Sequence, residues 1–312
     1  MSSQAKTTVS NVKWGYLSLV AVTVLFGIWN PMNKILLQDL DPLALSALIY
    51  CIAGIFLFAA RYSGINSHLM SIMDSKLEAE TFFTRKDYML IFITAVSGSV
   101  IAPLIYLNGL NNITAVNASL LMNVEVFFTI TFGILLLRER FRKKELIGVV
   151  LILLGTVLLA TNGSSLSVSV SEGLGAIFIV VSTFFWSLDT ILSKFLSSKR
   201  DLLMISAIKC TVGGLILLTL GLLLHKSFSL PLDHVLYLIF VGVFIIGFTV
   251  VMILYSIRRI GSARTGSIFP FSSLFGAIFA FMILKEPLTI MQLLYGIIMI
   301  IGVFIIYKFQ QE

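Results

Sequence analysis

Long apolar runs, separated by short polar segments, make up most of this chain. Each run is continuous rather than alternating between apolar and polar positions, which favours helices over the strands of a membrane barrel. The run lengths approach the roughly 20 residues that a helix needs to cross a bilayer. The pattern predicts an all-α membrane protein with ten transmembrane helices, at residues 14–37, 43–60, 88–108, 113–137, 146–161, 174–196, 203–224, 234–255, 263–284 and 290–307.

The second half of the chain repeats the first half. Residues 112–141 align without gaps with residues 259–288, and both segments contain a basic residue followed by glutamate near their ends. Earlier segments repeat at a slightly larger offset, so that Lys34 corresponds to Lys194. Internal repeats between membrane-embedded halves are typical of transporters.

The two copies must be inverted relative to each other in the membrane, because each contains five spans and five is an odd number. We therefore expect two inverted five-helix repeats, over residues 10–161 and 173–308. Asp41 precedes the second span of the first copy, and Asp201 takes its place in the second copy.

The distribution of basic residues predicts the orientation. With the N-terminus in the cytoplasm, 18 of the 22 Lys and Arg residues fall on the cytoplasmic side, and Lys209 lies within a span. Only Lys34, Lys226 and Lys285 fall outside. This bias agrees with the positive-inside rule. We expect a multi-pass protein of the plasma membrane with both termini in the cytoplasm.

Composition argues against several functional classes. Hydrophobic residues make up 58% of the chain and charged residues 12%, whereas soluble proteins have about 25% charged residues. The net charge of +7 therefore concerns orientation and anionic lipid headgroups rather than nucleic acid. Cys51 and Cys210 lack the spacing of a metal or redox motif. With no nucleophile–base arrangement either, we expect no metal, no cofactor and no enzymatic activity.

Several short motifs of both halves look like the EamA repeat. They are Phe26-Gly27 with Lys34, Val124-Glu125-Val126, Glu139, Trp186 to Lys194, Pro270 and Lys285-Glu286-Pro287. Over nearly its whole length the chain resembles the drug/metabolite transporter superfamily, in its ten-helix EamA family. The resemblance implies a transporter, more often for efflux, with a cavity lined by the first, third, fourth, sixth, eighth and ninth helices. This chain has Val126 where family members often have proline, and Ile49 where they often have arginine.

Three charged residues lie inside predicted spans. Glu125 is about 18 Å from either end of the fourth span, at the rise of 1.5 Å per helical residue, which places it where transporters build their sites. A charge at that depth is costly unless it is paired, hydrated or protonated. We expect Glu125 to bind substrate or a coupling ion; the alternative is a neutral side chain hydrogen-bonded to a neighbouring helix. Asp189 and Lys209 lie at matching depths on consecutive spans, so they form either a structural ion pair or a substrate contact.

Helix breaks and aromatic side chains complete the expected site. The prolines inside spans remove helical hydrogen bonds and free carbonyl groups; they are Pro31, Pro103 and Pro270. Each aromatic side chain alone is equally consistent with packing. The polar and aromatic residues that we expect near a substrate, in addition to the three charged ones, are Trp29, Asn30, Asn33, Tyr106, Trp186 and Tyr255.

The sequence thus predicts a secondary transporter for a small amphipathic metabolite, an amino acid or an amine, working by alternating access. With Glu125, Asp189 and Lys209 all ionised, the cavity carries a net charge of −1 and tolerates a cation better than an anion. Protons are the expected coupling ion. The alternatives are an uncoupled facilitator, an uptake carrier of the same fold, and a scramblase-like or structural membrane protein.

Small residues predict close packing of the fifth and tenth spans. Gly148 and Gly155 lie on the fifth span, and Gly296 and Gly302 lie on the tenth span. Glycine at a helix surface allows another helix to approach closely. We expect these helices to pack at the periphery, where they also offer a surface for a homodimer.

Overall fold

The computed structural model describes residues 2–63, 83–137, 145–160, 169–197, 201–260, 265 and 268–310. Within these residues the chain is almost entirely helical. The α-helices are α1 (Ser2–Gly27), α2 (Trp29–Leu36), α3 (Pro42–Tyr62), α4 (Arg85–Ala95), α5 (Ala102–Asn112), α6 (Ala115–Leu121), α7 (Val124–Leu137), α8 (Glu145–Ala160), α9 (Val170–Ser197), α10 (Leu202–Leu223), α11 (Leu232–Phe240), α12 (Thr249–Ile260), α13 (Phe271–Leu284) and α14 (Ile290–Gln310). Two π-helical segments connect helices without a break: π1 (Val96–Ile101) joins α4 to α5, and π2 (Val241–Phe248) joins α11 to α12.

The helices coincide with the apolar runs of the sequence. Among the described residues, seven helical stretches are long and apolar enough to cross a membrane, and three shorter apolar helices occupy the remaining runs. The seven stretches are Trp14–Leu36, Pro42–Tyr62, Arg85–Asn112, Ala115–Leu136, Val170–Ser193, Leu202–Leu223 and Leu232–Ile253. The shorter ones are Leu146–Leu159, Phe271–Leu284 and Ile290–Ile306. That these three also cross the membrane stays a prediction.

Helices α3 and α10 form an antiparallel pair that is tied at both ends. The Asp41 carboxylate accepts a hydrogen bond from the backbone N–H of Leu43 at the start of α3 and pairs with Lys226, with 2.7 Å between Oδ2 and Nζ. Asp201 caps α10 and pairs with Arg61 at the end of α3, with 2.7 Å between Oδ2 and Nε. An aspartate at each helix start therefore also binds a cation at the far end of the partner helix.

The middle of the same pair is closely packed. A Cβ atom on Gly54 would clash with Thr211, and a Cβ atom on Gly214 would lie 2.6 Å from the backbone nitrogen of Cys51. Both glycines thus let the backbones of α3 and α10 approach each other more closely than a larger residue would allow.

The other helices pack on one another as follows. Helix α8 packs on α14, α5 and α7 pack on α9, and α1 packs on both α12 and α13; α6 also packs on α13. In the α8–α14 pair, a Cβ atom on Gly302 would lie 2.6 Å from the carbonyl oxygen of Gly148. All four glycines that predict close packing contact other helices of the same chain, and the homodimer stays a prediction.

Only some of the breaks in the spans occur at prolines. Helix α1 ends one turn before Pro31, and Pro270 precedes the first residue of α13. Pro103 is the second residue of α5 and directly follows π1, and the helix does not break there. The span predicted as continuous over residues 113–137 is divided between α6 and α7 by a turn at Met122-Asn123, which contains neither proline nor glycine.

Candidate functional site

A cavity of about 140 Å³ lies among the helices that carry the buried charges. Helices α1, α2, α3, α7, α9, α10 and α12 contribute to its walls, together with the segments around Gly98 and Phe269. The described residues that line it are Phe26, Trp29, Tyr50, Gly98, Ser99, Met122, Glu125, Trp186, Asp189, Thr190, Lys209, Cys210, Ile246, Thr249, Val250, Ile253 and Phe269.

Asp189 and Lys209 form an ion pair in the wall of this cavity. The Lys209 ammonium lies 2.5 Å from Asp189 Oδ1 and 3.1 Å from the hydroxyl oxygen of Ser193. Ser193 in turn donates to Asp189 Oδ1 at 3.0 Å. Lys209 is buried, with 7% of its surface exposed. The structural ion pair that the sequence offered as one interpretation is present, and both of its members also face the cavity.

Glu125 enters the cavity from the first turn of α7, directly after the turn at Met122-Asn123. Its backbone carbonyl accepts a hydrogen bond of 2.8 Å from Ser187, which fixes α7 against α9. In the described part of the chain, the carboxylate accepts one side-chain hydrogen bond, from the hydroxyl of Thr190 at 3.5 Å, which is at the long limit of a hydrogen bond. Among the described residues no cation pairs with Glu125.

Segment π1 brings a backbone carbonyl to the cavity. The carbonyl oxygen of Gly98 accepts hydrogen bonds from Trp186 Nε1 at 3.1 Å and from the Tyr50 hydroxyl at 3.3 Å. A Cβ atom at position 98 would clash with the carboxylate of Asp189. Glycine at this position therefore lets the side chain of Asp189 approach the backbone closely.

Four of the residues that the sequence predicts near substrate lie away from the described lining. Tyr106 donates to Asn30 Oδ1, and Asn30 Nδ2 donates to the hydroxyl of Ser119 at 2.6 Å. All three are buried, with at most 2% of their surface exposed. Asn33 donates to the carbonyl of Trp29 at 2.7 Å, and Tyr255 is covered by the guanidinium group of Arg259, 5.4 Å from its ring centre.

The Tyr106 ring supports the cavity wall from behind. Its centre lies 5.0 Å from that of Trp186 and 6.2 Å from that of Trp29. Of the nine residues expected at the site, Trp29, Glu125, Trp186, Asp189 and Lys209 come together at the cavity. The sequence reasoning missed Tyr50, Gly98 and Thr190, for which no charge, break or repeat gave a signal.

Lys34 and Glu286, two residues of the motifs shared by both halves, lie at helix ends. The Lys34 ammonium donates to the carbonyl oxygens of Leu110 at 2.6 Å and Ile113 at 2.8 Å, at the end of α5. Glu286 accepts from the backbone N–H groups of Ala115 and Val116, both at 3.0 Å, at the start of α6. Cations favour helix C-termini and anions favour N-termini, so these residues hold the α5–α6 turn. Glu139 lies outside the described residues.

A second cavity of about 380 Å³ lies near the same turn, between the starts of α6, α9 and α14 and the end of α8. Among the described residues that line this second cavity, Glu172 is the acidic one. It is exposed and accepts hydrogen bonds from Ser169 at the start of α9. In the described part of the chain, no three His, Cys, Asp or Glu side chains are grouped to hold a metal ion.

Comparison with known proteins finds relatives along the whole chain. A protein of Methanothermobacter thermautotrophicus, named as an uncharacterized transporter, is 47% identical over 295 residues, which cover 94% of this chain and 86% of the relative. The uncharacterized transporter YetK of Bacillus subtilis is 23% identical over 294 residues, covering 92% of this chain and 84% of YetK. A solved crystal structure at 14% identity superposes with a TM-score of 0.67 over 97% of this chain and 98% of that one, which supports the fold alone.

The family model of the EamA-like transporters matches twice, at residues 13–161 and 173–308. The two matches leave only short segments of the chain uncovered. Together with the apolar helices and the close archaeal relative, they make this chain a multi-pass membrane protein that belongs to the EamA-like transporter family of the drug/metabolite transporter superfamily.

Proposed function

We propose that the protein is a secondary transporter that moves a small amphipathic metabolite, an amino acid or an amine, out of the cell by exchange for protons. The observation that carries the proposal is Glu125, a carboxylate without a cationic partner among the described residues, in a cavity inside the bundle. A charge inside a membrane protein is costly and usually has a role in binding or proton transfer.

Ten spans in two inverted repeats are part of this proposal. The helix packing supports it. When two spans contact each other, the corresponding spans of the other repeat also contact each other in the cases that follow. Helix α3 packs on its own partner α10, and α8 on its partner α14. The contact of α5 with α9 corresponds to that of α12 with α1, and the contact of α7 with α9 corresponds to that of α13 with α1. The segments π1 and π2 also occupy corresponding spans.

The proposal includes a location in the plasma membrane. The distribution of basic residues supports cytoplasmic termini. In this orientation the α5–α6 turn, Lys34 and Glu286 lie on the outer side. The carrier would present the cavity alternately to the two sides as the two repeats move against each other.

The single carboxylate of Glu125 is enough to exchange a cationic cargo for a proton. In a low-dielectric site a carboxyl group favours its protonated form, and a nearby cation reverses that preference. The charged or titratable groups facing Glu125 across the cavity are Asp189 and Lys209, which pair with each other, and Tyr50 and Cys210. A cationic cargo and a proton would therefore compete for Glu125, so that binding one releases the other.

The proposal is tested with Glu125→Gln in proteoliposomes. Glutamine keeps the size and hydrogen-bonding capacity of glutamate but cannot ionise, so the variant should fold while uptake driven by an inside-acid pH gradient disappears. Uptake of a panel of labelled amino acids and amines is measured with and without the gradient. The control is Glu172→Gln, which makes the same change outside the cavity and should transport like wild type.

Three results would contradict parts of the proposal. Gradient-driven uptake that persists in Glu125→Gln would show that protons move elsewhere. Uptake by the wild type that ignores the gradient would identify an uncoupled facilitator. Movement of labelled phospholipid between leaflets that is unaffected by Glu125→Ala, with no uptake of the panel, would identify a scramblase-like protein.

A further inference from the structure

We infer that the cargo is a small organic ammonium ion without a carboxylate, bound with its nitrogen at Glu125. The inference rests on the proposed transport function and decides between its two substrate classes, amines and amino acids. An amino acid brings both a cation and an anion into the cavity, so each of its charges needs a partner there. The described lining offers an uncommitted charged partner to only one of them.

The one cation of the described lining is already used. Lys209 donates to Asp189 at 2.5 Å and to Ser193 at 3.1 Å, and 7% of its surface is exposed. A substrate carboxylate would have to displace Asp189, which would leave that half-buried carboxylate without its cation in the same wall. Removing one partner of a buried ion pair is strongly unfavourable. The pair therefore opposes the binding of an anionic group.

Two neutral hydrogen-bond donors in the wall already have an acceptor. The Trp186 N–H and the Tyr50 hydroxyl both donate to the carbonyl of Gly98. They point to a backbone oxygen that π1 brings to the cavity, rather than to free space. The remaining lining side chains that can donate carry no formal charge; they include the indole N–H of Trp29, which has no hydrogen-bond partner among the described residues. They cannot neutralise a carboxylate in a low-dielectric site.

Glu125, unlike Lys209, has no charged partner among the described residues. Among the described side chains, its carboxylate has only the 3.5 Å hydrogen bond from Thr190. Asp189 adds a second negative charge to the lining, and Lys209 offsets that charge. The lining thus has one uncompensated negative charge, with Glu125 as the available acceptor. An ammonium group would supply the missing charge and up to three N–H donors.

The rest of the cavity suits the body of a small amine. Phe26 stacks on Trp29 with 6.0 Å between ring centres and contacts Phe269 at 5.2 Å, so one side of the lining is aromatic. Aromatic faces attract organic cations as well as apolar groups. The volume of about 140 Å³ is well below the roughly 300–1,000 Å³ of sites for drug-sized ligands. The cargo is therefore small, with a short apolar or aromatic chain.

Matched pairs of compounds test the inference. Isoamylamine and leucine differ in the carboxylate, and so do phenethylamine and phenylalanine. Binding to the purified protein in nanodiscs is measured by calorimetry, and exchange is measured by counterflow in proteoliposomes. We expect both amines to bind and exchange, with affinities at least about tenfold higher than those of the amino acids, a difference of about 1.4 kcal/mol.

Variants of Glu125 make the test specific. Glu125→Gln should lose amine binding, and Glu125→Asp should retain it because the charge remains. Glu172→Gln, the same substitution outside the cavity, should bind like wild type. Size-exclusion profiles of the nanodisc samples show whether each variant is folded. If Glu125→Gln does not fold, the test rests on Glu125→Asp: a folded Glu125→Asp that does not bind amines would contradict the inference.

The contrary outcomes separate the two proposals. If the amino acids exchange as well as the amines or better, the inference is wrong and the transport function stands. If amines bind equally to wild type and to folded Glu125→Gln, Glu125 is not the counterion and the inference is also wrong. If neither class binds or exchanges, the inference and the proposed transport of amines and amino acids both fail.

Discussion

At the scale of single residues, the buried charges divide into a paired and an unpaired set. Asp189 and Lys209 neutralise each other at 2.5 Å, whereas Glu125 has no cationic partner in the described part of the chain. Depth along consecutive antiparallel helices was enough to offer the pair as one of two interpretations of the sequence. Its orientation toward the cavity was not, because it depends on how α9 and α10 rotate against π1.

The ion pair should show a clear asymmetry between single and double substitutions. Asp189→Asn leaves a buried ammonium group without its counterion, which costs roughly 3–5 kcal/mol for a fully buried pair and less where water reaches it. Lys209→Met leaves the carboxylate unpaired. The double variant removes both charges and should recover much of the lost stability. Thermal unfolding in detergent measures this, and a double variant no more stable than either single one would show that the two residues act independently.

At the scale of helices, the structure assigns a role to the glutamate that follows α13. Glu286 accepts from two backbone N–H groups at the start of α6, and Lys34 donates to carbonyls at the end of α5. The sequence showed that both residues recur in the two halves, but recurrence alone did not reveal what they contact. Their partners come from other spans, so the contacts exist only after the bundle has formed.

Glu286 should therefore stabilise the bundle through its carboxylate. Glu286→Ala leaves two N–H groups at the start of α6 without an acceptor, and a lost helix cap costs about 0.5–2 kcal/mol. Glu286→Gln keeps one acceptor oxygen and should fall between alanine and wild type. The melting temperatures of the three proteins should follow that order. A Gln variant less stable than the Ala variant would contradict the capping role.

The helix irregularities show where sequence reasoning stops. The break before Pro31 and the start of α13 after Pro270 follow from the missing N–H and the fixed backbone of proline. The turn at Met122-Asn123 has no such residue, and it places Glu125 at a helix start. Segment π1 likewise depends on Tyr50 and Trp186, which donate to Gly98 from two other helices. Local sequence does not contain these tertiary contacts.

At the scale of the whole molecule, the apolar runs predicted the positions of the helices well. Hydrophobicity determines which segments enter a membrane, and each segment satisfies its own backbone hydrogen bonds as a helix. The cavity was harder to predict, because α3 and α10 also contribute to its lining through Tyr50, Lys209 and Cys210. The number of spans and their direction stay predictions that rest on charge distribution and repeats.

The orientation can be tested with one substitution. Asn162 lies between α8 and α9, outside the described residues, and ten spans with a cytoplasmic N-terminus place it outside the cell. Asn162→Cys should react with a membrane-impermeant maleimide in intact cells. Wild type, which retains Cys51 and Cys210 within helices, is the control for background labelling. Reaction only after permeabilisation would rule out the ten-span topology.

The contact between α3 and α10 limits how the protein can move. Backbones that meet at Gly54 and Gly214, and ion pairs that tie both helix ends, leave no room for one helix to slide along the other. Each half of the chain contributes one helix to this pair. If the protein works by the alternating access that we propose, the pair would stay together while other helices change position. A bulky residue at either glycine would then disturb the coordination between the halves, even where each half keeps its own fold.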